Sequence, residues 1–154
     1  MNGWTEAVPW IVAAAGWGAT HLLSEARERR KEIRVQLDKT IERLAKIEES
    51  ARSYHCGSSF DLQKSLSLIS EISRLERSLA RVTRFNLDDF TPVIIMHRRA
   101  ITLKNFDSSS FSSCDQDSEM LMEISAATHD FEEEIERQYR GSYPSKFPYF
   151  RISG

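Results

Sequence analysis

The sequence predicts an all-α protein, in which an N-terminal membrane-associated helix continues into an antiparallel helical hairpin or bundle. Three observations carry that prediction. Six Gly and four Pro in 154 residues are too few for the many tight turns of an all-β fold. Apolar residues recur at alternating steps of three and four over long stretches, the period of one helical face. An uncharged run over residues 7–23 is followed at once by a basic flank. With 40% apolar and 29% charged residues and a mean hydropathy of -0.45, the chain is too polar for a polytopic membrane protein and too apolar for wholesale disorder.

The first element starts in that uncharged run, AVPWIVAAAGWGATHLL, which precedes SEARERRKEIR. No Lys or Arg stands before it, so it lacks the basic opening of a secretory signal peptide. A helix over residues 5–23 rises roughly 28 Å, just short of a hydrocarbon core of about 30 Å. Val8, Ile11, Val12, Leu22 and Leu23 favour insertion, and Pro9, Gly16, Gly18 and His21 oppose it. Small residues, above all the Ala14 and Gly18 pair, would let helices pack closely in lipid. The expectation is a single membrane span over residues 1–23. Arg27, Arg29, Arg30 and Lys31 then place the C-terminal body in the cytoplasm. The alternatives are a helix buried in a soluble bundle and a helix lying in the interface with its Trp side down.

The bundle is expected over residues 24–141. No Gly or Pro interrupts the chain from Ser24 to Cys56, and Ile33, Leu37, Thr40, Leu44, Ile47, Ala51 and Tyr54 form a heptad seam, widened by Ile41. Gly57 is placed to end this helix. Asp61 reads as the N-cap of a second helix reaching about Asn86, with Leu68, Ile72, Leu75, Leu79 and Val82 on one face and Leu62, Leu66 and Ile69 flanking it. Thr91 as cap and Pro92 at the first position predict a short third helix to about Lys104. Residues 107–118 are polar and read as a flexible connector. Leu121, Ile124, Thr128, Phe131, Ile135 and Tyr139 mark a fourth helix that stops at Gly141. Residues 142–154, with two Pro and four aromatics, predict an irregular tail.

Charge is polarised along the chain. The net of -2 conceals -1 over residues 1–24, +5 over 25–104 and -6 over 105–154. A basic middle and an acidic end predict internal neutralisation, or contact between the middle and an anionic surface.

No G-x-G-x-x-G, Walker A, H-E-x-x-H, EF-hand or G-x-S-x-G motif occurs, so no enzyme and no cofactor are expected. His129 and Glu133 have the spacing of two ligands on one helical face, but no second Glu-x-x-His motif supplies the opposing half of a bundle metal site. A solvated acidic face accounts for them better. Tyr54, His55 and Cys56 at the hairpin tip would need Cys114 to build even a minimal Cys/His site. The strongest pattern outside the core is Arg74, Arg77, Arg81 and Arg84, aligned opposite Leu75 and Leu79. It predicts a track for phosphate on anionic lipid or, less favoured because no aromatic is interleaved, on nucleic acid. The competing expectation is that these arginines pair with Glu123, Asp130, Glu133 and Glu134 of the last helix.

Taken together, the sequence predicts a membrane-anchored helical interaction or assembly protein that binds a protein partner or itself. The alternative is a soluble helical bundle that binds nucleic acid or another polyanion through its arginine line.

Overall fold

The computed structural model describes residues 4–83 and 87–144, with side chains described at 10, 12 and from 16 onward. The described residues form four helices and no strand: α1 (Trp4–His55), α2 (Leu62–Val82), α3 (Thr91–Thr102) and α4 (Glu119–Ser142). The chain divides into two compact units, Met1–Val35 and Gln36–Gly154.

In the first unit α1 is continuous helix, as expected from a run in which Pro9 comes within its opening turns. Trp17 packs edge-on against His21 at 5.6 Å between ring centroids, one helical turn apart. The Thr20 hydroxyl donates to the Gly16 carbonyl at 2.8 Å. Among the described residues no helix is long and apolar enough to cross a membrane. The single span expected over residues 1–23 therefore lacks support: Gly16, Gly18 and His21, with tryptophans that are only partly apolar, dilute the segment.

In the second unit the heptad seam is realised in full. Leu37, Thr40, Leu44, Ile47, Ala51 and Tyr54 are buried, as is Ile33 just ahead of them. The Gly57 N–H closes the helix end on the Tyr54 carbonyl at 3.1 Å. A Cβ at Gly57 would stand 3.0 Å from that same carbonyl oxygen, which explains the glycine there. The Asp61 carboxylate accepts from the Lys64 N–H at 3.0 Å and caps α2. Leu68, Ile72, Leu75, Leu79 and Val82 turn inward, but Leu62, Leu66 and Ile69, expected to flank the core, are exposed. They sit around the helix from the seam, on a side that nothing else among the described residues covers. The helix ends at Val82, and Asn86, the expected end, lies outside the described residues.

The start of α3 differs from expectation in detail. Its N-cap is Phe90, without a side-chain cap bond. Thr91 instead gives both its N–H and its hydroxyl to the Asp89 carboxylate, at 2.9 and 2.6 Å. The helix stops at Thr102, and Asn105 follows with a φ of 55°, a left-handed conformation that asparagine tolerates. Its amide exchanges two hydrogen bonds with the Ser112 backbone, at 2.8 and 2.6 Å.

The connector after α3 is thus tied down, contrary to its reading as a flexible linker. Phe106 and Phe111 pack on Tyr54 at 5.1 and 5.5 Å. The sequence signal was present in those two aromatics, but the surrounding serines masked it.

On α4, Leu121, Ile124, Thr128, Phe131, Ile135 and Gln138 are buried. The helix passes Gly141 by one residue and ends at Ser142. Tyr143 packs on Tyr139 at 5.3 Å. Residues 145–154 of the expected irregular tail lie outside the described residues. Helices α3 and α4 are joined at their inner faces, where Phe131 meets Phe90 at 6.5 Å and His97 at 5.7 Å. Lys104 bonds both carboxylate oxygens of Glu123 at 2.9 Å, and Arg98 reaches Glu76 on α2 at 3.4 Å.

Candidate functional site: a cation-lined groove between two helices

Helix α2 turns its buried face toward the core through Leu75 and Leu79, so residues about half a turn away must face out. Arg74, Arg77 and Arg81 occupy that outer side and are exposed. Arg84, the fourth residue of the predicted line, lies outside the described residues. Helix α1 contributes what sequence reasoning missed. Arg43 and Lys46, exposed beside the buried Leu44 and Ile47, lie across from the α2 arginines. Together with Glu71, Ile47 and Ala80 these residues line an open groove of about 730 Å³. Five cations therefore face one carboxylate.

Pairing of the arginine line with the acidic helix does not occur among the described residues. Glu123 is held by Lys104, Glu134 by Arg137 at 2.6 Å, and Glu133 lies 3.5 Å from His129. Arg43, Arg74, Arg77 and Arg81 make no ion pair among the described residues. Lys46 does, to Glu42 at 2.7 Å one turn back along α1. Lys46 and, less strongly, Arg43 and Lys39 hold the Glu42 carboxyl below its ordinary range. The groove is electropositive because, among the described residues, Glu71 is the one carboxylate set against its five cations, while Glu76 and Glu123 are engaged by Arg98 and Lys104. In the segment 97–104 His97 is buried, Arg98 and Lys104 are paired, and Arg99 is exposed.

The Cys and His residues come together at the hairpin tip, but without forming a metal centre. The Cys114 N–H and thiol both reach the His55 carbonyl, at 3.0 and 3.3 Å, and the Ser113 hydroxyl reaches the Cys56 carbonyl at 3.4 Å. Burial, then the neighbouring Cys114 thiol, pushes the Cys56 thiol up, the opposite of the lowered thiol that nucleophilic chemistry uses. The His55 ring is engaged by other groups. Its Nε2 lies 3.1 Å from the Ile101 carbonyl and its Nδ1 3.5 Å from the Asn105 amide, and burial lowers its basicity. Among the described residues no three His, Cys, Asp or Glu side chains are grouped to hold a metal ion.

The proposed helix-packing pair is only partly described. Gly18 is half-buried, and a Cβ added there meets nothing within 4 Å. The Ala14 side chain lies outside the described residues.

The class that the fold and this geometry define is an all-α protein with a cation-lined groove between two of its helices. Compared with known proteins, the chain matches no family model, no curated protein and no solved structure.

Proposed function

We propose that this chain is a membrane-associated helical interaction protein, held at the membrane by its N-terminal segment and binding a protein partner or further copies of itself through its helical body. One observation carries the reading. Trp10, Val12, Trp17, Leu22 and Leu23 are all exposed, Trp10 by 78% and Leu22 by 69%. On a wheel of about 100° per residue Val12, Leu22 and Leu23 share one side and the two tryptophans the opposite one. A helix with exposed apolar side chains on two opposite sides needs cover on both, and a partner lying along one stripe covers only one of them. Lipid, together with neighbouring copies, supplies the rest. The basic run Arg27, Arg29, Arg30 and Lys31 favours a single-pass arrangement with the C-terminal body in the cytoplasm.

Full-length protein is expected to resist alkaline extraction from membranes, while a chain starting at Glu25 is recovered without detergent. Recovery of the full-length chain in the soluble fraction overturns the membrane assignment. Because one copy inserts poorly, close packing through Ala14 and Gly18 belongs to the same reading. Ala14→Leu with Gly18→Leu should sharply reduce crosslinking between copies in mild detergent. The open space around Gly18 means the larger side chain is tolerated within one copy, so a loss reports on association.

The groove favours a second reading, a helical bundle that binds a phosphate-rich polyanion. Contacts to phosphate by four or five cations lower affinity steeply with salt. Binding of anionic vesicles or duplex DNA that vanishes on changing Arg74, Arg77 and Arg81 to Gln supports it. Unchanged binding removes it.

A further inference from the structure

The basic groove has a counterpart on the same body. A second open groove, of about 750 Å³, runs between Ile41 of α1 and the outer face of α4. Its rim carries Asp130, Glu132, Glu133, Glu134 and Glu136, offset by Arg137 and Arg140. Glu134 is neutralised by Arg137 at 2.6 Å, and Glu136 has Arg140 at 3.8 Å. Asp130 makes no ion pair among the described residues, and the contact of Glu133 with His129 is an ion pair only when that histidine is protonated. The two grooves are alike in volume and opposite in charge.

We infer that the basic groove of one copy receives the acidic α4 face of a second copy of this chain. The inference rests on the assembly reading above and names the surfaces that would carry it. Charge complementarity is the main argument, since each groove holds an excess of the sign the other lacks. Exposed apolar area is the second. Leu66 and Ile69 lie one to two turns before Arg74 on the outer side of α2, Leu66 exposed by 58%. Such area is covered by a protein surface and is left wet by a bound phosphate chain. Among the described residues no aromatic lines the basic groove for a nucleic-acid base to stack on.

The placement of the grooves also determines the kind of assembly. Around α1, Ile41 falls about 80° to one side of the buried seam and Arg43 about 80° to the other. The two surfaces therefore sit on opposite flanks of one helix, and a two-fold dimer cannot bury both at once. The contact is heterologous, head to tail, and builds a ring or an open chain of copies.

The test is sedimentation of the full chain in mild detergent at about 50 mM and about 1 M NaCl, where the screening length falls from roughly 14 to 3 Å. The wild-type chain is expected to form species larger than a dimer at low salt that dissociate at high salt. Arg74→Glu with Arg77→Glu, and separately Asp130→Lys with Glu133→Lys, should each weaken association by at least about tenfold. A chain carrying all four changes restores complementarity with the signs exchanged and should associate again, its helix content checked by circular dichroism. A wild-type chain that stays monomeric overturns the assembly reading and this inference together. Association that is indifferent to the reversals, or a folded four-fold variant that fails to recover, overturns this inference and leaves the assembly reading standing. Discrete two-fold dimers overturn it as well. So does salt-sensitive binding of duplex DNA or anionic vesicles that is lost on reversing the arginines while association between copies persists.

Discussion

Replacing Phe131 by Ala is expected to destabilise the helical body by about 3–5 kcal/mol, a large share of the 5–15 kcal/mol typical of a domain. Phe131 is wholly buried on α4 and is the ring on which α3 and its N-terminal lead-in close. Phe90 lies 6.5 Å from it and His97 5.7 Å, so truncation opens a cavity bounded by side chains from two sides of the core. Such a cavity cannot collapse without moving α3 against α4. Denaturant unfolding of the full chain in mild detergent, followed by circular dichroism, measures the effect. A loss below about 1 kcal/mol would mean that α3 and α4 do not depend on this ring.

Acid is expected to unfold the body through His97, and the direction follows from its surroundings. His97 is buried on α3, and its Nε2 makes no hydrogen bond among the described residues. Burial takes its pKa from 6.5 down to about 4, with the Glu48 carboxylate pulling weakly the other way. The folded chain therefore binds this proton more weakly than the unfolded chain does. The stability that depends on a neutral ring is fully present above about pH 6.5 and is lost progressively as pH falls toward 4, by about 3 kcal/mol. His55, lowered by burial as well, acts in the same sense. Glu132, whose carboxyl burial pushes up, acts in the opposite sense and softens the slope. His97→Leu should flatten the profile between pH 6.5 and 4 and raise stability at pH 4.5 relative to wild type. An unchanged slope would assign acid sensitivity to other groups.

The helices and their buried faces were legible because helical period and burial are the same signal. All seven residues of the α1 seam and all five of the α2 stripe are buried where the spacing put them. Helix ends were legible where a side chain acts locally, as Asp61 does on Lys64 and as Gly57 does beneath Tyr54. Thr91 misled because its hydroxyl, which as an N-cap would accept from an N–H further into the helix, donates instead to the Asp89 carboxylate. The connector misled because serine content argues for a loop but is silent on where Phe106 and Phe111 go.

The candidate site was half legible. The face of Arg74, Arg77 and Arg81 followed from the period of α2 alone. Arg43 and Lys46 carried no signal of their own, since nothing within one helix tells which neighbour stands beside it. The fate of each carboxylate was beyond local reasoning for the same reason. Glu76 goes to Arg98 and Glu123 to Lys104, partners 22 and 19 residues distant, and among the described residues the expected pairing between the arginine line and α4 does not form.

The sequence by itself determined the helices, their inward faces and the outward arginines, because these depend on interactions within a few residues of each other. Only the tertiary structure decided that Leu62 and Leu66 stay exposed, that two cations of α1 join three of α2 in one groove, and that the charges of α4 gather on the other flank of α1. Those outcomes depend on which helices become neighbours, and that is set by packing between segments far apart in the chain.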